Sequence, residues 1–281
     1  MVASRTNILR QVSTALALLL LIIGIAFTQG AVLGAGKGRV ERSGVPAKGK
    51  AGTFVGASRP LGSGSVRSWV TLDEQGKPSA VGLTISESAL KTAPAELPRG
   101  QESLEINLPL PKEAAATAFD HIGFGWNPKG HEPENIYTLP HFDIHFYTIS
   151  VEEKERITAQ GEDLARCYIK PGEEYVPAGY ILPPGTAVPR MGAHWVDPNA
   201  REFKGQPFTR TFLYGNYDGK IIFYEPMVTR SMFETKVNIT EYIKLPQKYA
   251  KPGYYPTRYS VSYDAAKKEY NVVLEGMTLR S

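Results

Sequence analysis

The sequence contains almost no cysteine, since Cys167 is the only one among 281 residues. A single thiol cannot form an intramolecular disulfide, a thiolate zinc cluster or a CxxC redox motif. The fold must therefore be held together by its hydrophobic core, and any metal site must use imidazole and carboxylate ligands. Because nothing near Cys167 marks it as a nucleophile, we interpret it as an inert small hydrophobe.

The chain also lacks a strong charge of either sign. It has 32 Lys and Arg against 28 Asp and Glu, and 42% of its residues are hydrophobic, as in a folded globular chain. This balance gives no basic surface for nucleic acid, so we expect no nucleic-acid partner. The sequence contains no GxSxG, Walker, dinucleotide-binding glycine or HExxH motif, so it gives no support to the familiar hydrolase, nucleotide-binding and zincin mechanisms.

One long apolar run, residues 12–27, lies near the N-terminus; two arginines precede it and several small residues follow it. This order is typical of a secretory signal, and the run is shorter than the roughly 20 residues that span a bilayer. We predict a signal peptide at 1–30, a flexible linker at 31–52 and a single β-rich domain at 53–281. Export without disulfides favours a secreted or periplasmic protein of a bacterial cell envelope, which meets the membrane only if the signal is not cleaved.

Alternation of apolar and polar residues dominates the remaining chain and predicts β-strands. The clearest strand is 140–149, rich in aromatic and β-branched residues, and 104–108 is another. Three β-hairpins are predicted over 65–85, 208–225 and 259–274. A long surface helix over 151–164 starts at a capping box formed by Ser150 and Glu153. We expect a mainly β fold with a minor α+β component, an antiparallel β-sandwich or open barrel with one surface helix.

Several shorter elements are also predicted. Short helices are expected at 86–91, 227–235 and 240–244, and a brief strand at 179–182. Glycine, proline and asparagine indicate a loop over 123–134.

All five histidines fall within 74 consecutive residues in the middle of the chain. On a strand, His141, Asp143 and His145 share one face, but at roughly 3.3 Å per residue the two histidines are about 13 Å apart at Cα, which strains a shared ion. Asp143 pairs easily with either one. His194 follows a proline-rich loop, and Glu225 ends an otherwise apolar strand, where burying a carboxylate is costly unless it is paired or bound to a cation.

These residues predict a site for one divalent metal ion, with His141, His145, His194 and Glu225 as ligands. Imidazole and carboxylate without thiolate suit zinc, manganese, iron or copper. An open coordination position would activate a water molecule, with Asp143 or Glu225 as the catalytic base. A small molecule would then be the substrate of hydrolytic, lyase or isomerase chemistry.

Other interpretations of the same residues remain open. The strand histidines would simply hydrogen-bond across the sheet, and Asp143 would be a buried acid paired with an arginine such as Arg190. We interpret His131, in the run His-Glu-Pro, as a loop element and His121 as a structural residue rather than as ligands. The alternative function is a non-catalytic cell-envelope protein that forms homo-oligomers or binds a small ligand.

Three motifs resemble those of a family of secreted bacterial domains of unknown function. They are PHFDxHFY at 140–147, MGxHW at 191–195 and EPMxT at 225–229. The resemblance spans about 126–229 and implies export and a single domain. It directs attention to the motif positions His141, Asp143, His145, His194 and Glu225, and it implies no activity.

Overall fold

The structure is a computed structural model that describes residues 50–281. The predicted signal peptide at 1–30 lies outside the described residues, as does the predicted linker up to residue 49. Within the described part, no helix is long and apolar enough to cross a membrane. The strands are β1 Gly52–Leu61, β2 Gly64–Leu72, β3 Pro78–Ser86, β4 Leu104–Pro109, β5 His121–Asn127, β6 His141–Tyr147, β7 Ala193–Trp195, β8 Arg210–Tyr217, β9 Lys220–Thr229, β10 Ile239–Tyr242, β11 Gly253–Tyr255, β12 Arg258–Asp264, β13 Glu269–Glu275 and β14 Thr278–Arg280. The α-helices are α1 Glu87–Thr92, α2 Val151–Glu155, α3 Gly161–Cys167 and α4 Arg230–Glu234.

Two six-stranded antiparallel sheets dominate the fold. The first has the order β1-β2-β3-β13-β12-β10 and the second β4-β5-β6-β9-β8-β7, while β11 and β14 form a small separate pair. All three predicted hairpins are present, as β2–β3, β8–β9 and β12–β13. The mainly β prediction is therefore confirmed, and the sheets do not close into a barrel.

The two sheets bury their apolar faces against each other. Phe124 and Phe142 of the second sheet belong to the same buried cluster as Val81, Leu83 and Val272 of the first. Full burial of such a side chain contributes roughly 1.5–3 kcal/mol, so this layer is the main source of stability. We call the side of the second sheet that faces the first sheet its inner face, and the opposite side its outer face.

The outer face of the second sheet is also covered by protein. Residues from the chain segments 128–140 and 148–208 pack against it in two smaller apolar clusters. One cluster contains Tyr147, Phe223 and Cys167, and the other contains Tyr137 and Met227. Polar side chains on this face are therefore buried as well. Burial also raises the pKa of the Cys167 thiol, in keeping with an inert residue.

The predicted helix over 151–164 is wrong in its length, because the structure has two short helices, α2 and α3, in this region. The chain between them takes a positive φ of 52° at Ala159. The carboxylate of Asp163 accepts hydrogen bonds from the backbone N–H groups of Thr158 and Ala159. These bonds hold the link between the two helices in a non-helical conformation and so compete with a continuous helix. The capping box of Ser150 and Glu153 is present as predicted.

Other local predictions fail where pairing with a distant strand decides the structure. The predicted loop 123–134 begins as the fully buried strand β5, because it pairs on both sides, with β4 and β6. The predicted helix 240–244 is instead largely β10, which pairs with β12. The predicted helix 227–235 shortens to α4, since β9 continues to Thr229. The predicted strand 179–182 is reduced to a single bridge between Ile181 and Val196.

Candidate functional site

Strand β6 directs the candidate residues onto the outer face of the second sheet. All seven of its residues are buried, and successive side chains point to opposite faces. Phe142 and Ile144 belong to the main core, whereas His141, Asp143 and His145 lie on the other side. The shared face predicted for these three residues is therefore the face that the structure shows.

One group of potential metal ligands consists of His145, His194 and Glu225, which we call the His145 triad. Its three ligand atoms all lie within 4.8 Å of one another. The Nε2 atom of His145 is 3.2 Å from Oε1 of Glu225, and that of His194 is 3.8 Å from Oε2. The side chains of His145 and Glu225 are only 1% and 2% exposed, so the carboxylate lies outside bulk water.

Pairing between strands that are distant in sequence assembles the His145 triad. His145 and Glu225 lie between the registered pairs Asp143–Met227 and Phe146–Tyr224 of β6 and β9. His194 comes from β7, which is hydrogen-bonded to β8 at the far edge of the sheet. The chain enters β7 through Gly192, where a Cβ atom would come within 2.2 Å of the Asn216 carbonyl oxygen. A glycine here lets the MGxHW motif approach the sheet closely enough to place His194.

Backbone carbonyls orient both imidazoles of the His145 triad. Nδ1 of His145 lies 3.4 Å from the carbonyl oxygen of Gly123, and Nδ1 of His194 lies 2.8 Å from that of Thr186. A carbonyl oxygen only accepts, so Nδ1 carries the proton and Nε2 keeps a lone pair for another partner. This anchoring through the second ring nitrogen is usual for metal-binding histidines.

The surroundings shift the pKa values of the two imidazoles of the His145 triad in opposite directions. Burial acts to lower the pKa of His145, but the negative charge of Glu225, whose Oε1 lies 3.2 Å from Nε2, outweighs it and raises that pKa. Burial dominates at His194 and lowers its pKa, which keeps the imidazole neutral. Within residues 50–281, Nε2 of His145 and Oε2 of Glu225 have no hydrogen-bond partner of acceptable geometry.

A second group consists of His131, His141 and Asp143, which we call the His131 triad. Its ligand atoms also lie within 4.8 Å of one another. The Nε2 atom of His141 is 3.1 Å from Oδ1 of Asp143, and that of His131 is 3.3 Å from Oδ2. Nδ1 of His141 and of His131 face the carbonyl oxygens of Leu139 and Glu132, at 2.7 and 2.6 Å. The orientation of both rings thus repeats that of the His145 triad.

Asp143 is held firmly as an anion at the centre of the His131 triad. The side-chain amide of Asn127 donates to its Oδ2 at 2.7 Å. Burial acts to raise the pKa of Asp143, but the two histidines outweigh it and hold that pKa well below its usual range. In turn, burial acts to lower the pKa of His131, and the hydrogen bond and charge of Asp143 raise it to about 9.

The structure divides the residues predicted from the sequence between two groups. His145, His194 and Glu225 come together, whereas His141 lies with Asp143 and His131. The sequence alone indicates a loop element at His131, and the signal that could have identified it as a ligand is the turn directly after β5, which folds the chain back over β6. Gly130, at a positive φ of 71°, makes that turn, and the backbone N–H of His131 then bonds to the Tyr137 carbonyl.

Two other predicted alternatives can be compared with the structure. Arg190 does not pair with Asp143; its guanidinium lies 2.9 Å from the carboxylate of Glu105 instead, so that hypothesis is wrong. His121 belongs to neither triad. Its Nδ1 is 3.0 Å from Asp120, and its ring stacks on Tyr147 with centroids 4.8 Å apart. His121 is therefore a buried histidine of the same face that, among residues 50–281, has Asp120 beside it but belongs to no group of three potential ligands.

Each triad offers two imidazole nitrogens and one carboxylate, which is a usual ligand set for catalytic zinc and suits other divalent transition metals. Three protein ligands leave one position of a tetrahedral ion free for water or substrate. A cavity of about 390 Å³ opens elsewhere on the domain, and no triad residue lines it. Its lining includes Tyr175, Tyr224, Lys248, Tyr249 and Lys251.

Comparison with known proteins gives a partial family match. The family model described as "TTHB210-like: Hypothetical protein TTHB210" matches residues 73–126, from the start of the turn between β2 and β3 to near the end of β5. The motifs at 140–147, 191–195 and 225–229 lie outside the matched segment. No curated protein and no solved structure matches the chain. Over residues 73–126, the chain is thus similar to an uncharacterised family.

Proposed function

We propose that this chain is an exported metal-binding protein of the bacterial cell envelope and that the His145 triad holds one divalent transition-metal ion. The observation that carries the proposal is the arrangement of lone pairs in the triad. Nε2 of both histidines faces the carboxylate of Glu225, while Nδ1 of each is occupied by a backbone carbonyl. Facing lone pairs repel each other unless a proton or a cation lies between them.

The distances suit a metal ion. Ligands at 2.0–2.1 Å from a tetrahedral zinc ion are separated from each other by about 3.3 Å. The two distances from the histidine nitrogens to the carboxylate oxygens are 3.2 and 3.8 Å, on either side of that value. A proton on His145 is the competing way to neutralise Glu225. It satisfies one contact only, whereas a metal ion satisfies both imidazoles and the carboxylate.

The arrangement supports binding more directly than catalysis. Glu225 is needed as a ligand, and Asp143 is held by Asn127 and two histidines, so neither acid is free to act as a base. Both were predicted to be catalytic from the sequence, and we now propose a ligand role for each. The open fourth position still permits a metal-bound water, which is the starting point for hydrolytic, lyase or isomerase chemistry on a small molecule.

The test is elemental analysis of the mature chain, expressed without a histidine tag and incubated separately with Zn²⁺ and Mn²⁺ before gel filtration. His194→Ala should lose one ion per chain relative to the wild type. His121→Ala is the matched control, because it removes a histidine from the same face but from neither triad, and it should lose none. Unchanged metal content in His194→Ala would refute the proposal.

A stability measurement gives an independent result. A ligand that binds only the folded state at about 100 times its Kd stabilises it by about 2.7 kcal/mol. We therefore expect zinc to raise the thermal midpoint of the wild type and of His121→Ala, with a smaller rise in His194→Ala. EDTA should reverse each shift.

A second candidate function is small-ligand binding in the cavity of about 390 Å³, which is within the usual size range of ligand pockets. Four tyrosines line it, together with three lysines, which suits an aromatic anion. The residues are Tyr175, Tyr224, Tyr249, Tyr255, Lys220, Lys248 and Lys251. Benzoate and indole-3-acetate are suitable probes, and perturbations in an NMR titration should disappear in Tyr249→Ser. Perturbations that persist in this variant would count against the cavity.

A further inference from the structure

We propose that the His131 triad binds a second divalent metal ion, independent of the ion proposed for the His145 triad. The prediction from the sequence was one ion per chain with His141 among its ligands. The structure instead groups His141 with His131, a histidine from another segment, and with the carboxylate of Asp143. This second site goes beyond the proposed function and does not depend on it.

The donor atoms of the His131 triad converge on one point. Each oxygen of Asp143 faces a different imidazole, at 3.1 and 3.3 Å, close to the separation of about 3.3 Å between two ligands of a tetrahedral ion. The rings of His131 and His141 approach edge to face with centroids 4.6 Å apart. One ligand atom from each of the three side chains thus lies within 4.8 Å of the other two, as in the first triad.

The buried atoms of this triad need a partner. His141 is completely buried and Asp143 is 6% exposed. Among the described residues, Nε2 of His141 and Oδ1 of Asp143 have no hydrogen-bond partner of acceptable geometry, although they lie 3.1 Å apart. Leaving such groups unsatisfied costs about 1–3 kcal/mol each, or more if they are charged. A cation between them satisfies both at once.

The two ions would be separate rather than bridged. No residue is shared between the triads, because Asp143 serves one and Glu225 the other. Asp143 and His145 are two positions apart on β6, about 6.6 Å at Cα, whereas bridged two-metal sites place their ions about 3.5–4 Å apart. We therefore expect two mononuclear sites on one sheet face.

The second ion would link the segment 128–140 to the second sheet through a shared set of ligands. His141 and Asp143 belong to β6, but His131 belongs to this covering segment. Its side chain is 36% exposed, while those of His194 and Glu225 in the other triad are 13% and 2% exposed. The ion of the His131 triad is thus closer to solvent. A chelator should remove it first, and its loss should loosen the segment.

The stoichiometry of single and double variants tests the second site. After incubation with Zn²⁺ and gel filtration, the wild type and His121→Ala should carry two ions per chain. His131→Ala and His194→Ala should each carry one, and the double variant His131→Ala/His194→Ala none. Two ions in His131→Ala would overturn the second site. A loss in His131→Ala together with no loss in His194→Ala would support it and refute the proposed function instead.

Hydrogen exchange followed by mass spectrometry distinguishes ion binding from a folding defect. Zinc should slow exchange within 128–140 in the wild type and in His194→Ala, but not in His131→Ala. A zinc effect of equal size in His131→Ala would overturn the proposal. If a variant does not fold, the experiment is instead a titration of the zinc-loaded wild type with EDTA, in which release of the ions is followed. Release in two steps, with faster exchange of 128–140 after the first, supports the second ion, and a single step refutes it.

Discussion

The inner and outer faces of the second sheet are both buried, but they carry opposite chemistry. On β6, Phe142 and Ile144 pack into the layer between the sheets, while His141, Asp143 and His145 face the covering segments. Both sets come from the same seven residues. The comparison shows that burial alone does not separate a hydrophobic core from a candidate binding site, whereas the chemistry of the buried groups does.

The outer face itself contains two kinds of buried polar group. Lys154 is completely buried, and its ammonium bonds to Glu105 at 2.6 Å and to Asn107 at 2.7 Å. That cluster finds its counter-charges within the protein. In each triad, by contrast, two imidazole nitrogens face one carboxylate, and Nε2 of His141 and of His145 has no hydrogen-bond partner of acceptable geometry among residues 50–281. Groups satisfied within the protein contribute to stability, whereas groups that need a cation are better explained by binding.

The largest expected effect is on the inner face. Phe142→Ala removes a fully buried ring that stacks on Trp126 with centroids 4.4 Å apart, and it should destabilise the domain by about 3–5 kcal/mol. Metal content per folded chain should stay unchanged. Urea unfolding and elemental analysis at low temperature measure the two effects. The neighbouring variant Asp143→Asn should show the reverse pattern, a loss of metal with a smaller loss of stability. Equal metal loss in Phe142→Ala and Asp143→Asn would contradict the distinction between the two faces.

Lys154→Met tests the cluster of the outer face whose charges are paired within the protein. Breaking a buried ion pair by removing one partner is strongly destabilising, and although Arg190 still faces Glu105 in this variant, we expect a loss of about 3 kcal/mol. Replacing both partners, as Lys154→Met/Glu105→Leu, should recover much of it, since the charge then left without Glu105, that of Arg190, is on a side chain that is 43% exposed. Urea unfolding at neutral pH measures both variants. A double variant as unstable as the single one would contradict this explanation.

The same pair gives a pH dependence with a definite sign. Burial acts to raise the pKa of Glu105, but the hydrogen bond and charge of Lys154 outweigh it and lower that pKa. The stabilisation is therefore present above the ordinary glutamate pKa of about 4.3 and is lost as the pH falls through the lower, folded-state value. The double variant should lose less stability than the wild type over this acidic range.

Much of the fold was predictable because its signals are local. The three hairpins, the strand 140–149 and the Ser150 cap follow from alternation or from residues three positions apart. The structure of 240–244 was not predictable in this way, since it becomes a strand only by pairing with β12. The same holds for β5, whose Gly123 and Gly125 indicate a loop but lie beside Tyr147 and Asp143 in the sheet.

The grouping of the candidate site was less predictable than its members. Alternation along β6 correctly placed His141, Asp143 and His145 on one face. The meeting of His145 with Glu225 depends on the register between β6 and β9, about 80 positions apart in the sequence. His131 depends on the path of the chain after β5. Local patterns contain neither kind of information, so the sequence could not divide the ligands into two triads.

A smaller effect is expected at Gly215, which lies beside Phe223, and the ring of Phe223 packs against both histidines of the His145 triad. A Cβ atom at Gly215 would lie 2.0 Å from the ring of Phe223, whose centroid is 4.8 Å from that of His145 and 5.4 Å from that of His194. Gly215→Ala should therefore cost about 1–3 kcal/mol. It should also weaken zinc binding about 10–100-fold at the His145 triad by shifting the ligand rings. Calorimetric titration and urea unfolding measure these effects.

Gly205→Ala is a control for this glycine change. Its Cβ atom would meet nothing within 4 Å, although the positive φ of 77° imposes some strain. It should lower stability without changing zinc affinity. If both alanine variants bind zinc as tightly as the wild type, Phe223 does not position the histidines.

The smallest expected effect lies at the start of α2, outside both triads. The side chain of Ser150 accepts a hydrogen bond from the Glu153 N–H at 3.1 Å, and the Glu153 carboxylate accepts one from the Ser150 N–H at 2.8 Å. Ser150→Ala removes half of this reciprocal cap and should cost about 1 kcal/mol in urea unfolding, with metal content unchanged. Because its polar groups are satisfied by the chain itself, this cap contributes to stability alone. A change in metal content in Ser150→Ala would mean that the covering segment transmits strain to the triads, and the separation between structural and binding polar groups would fail.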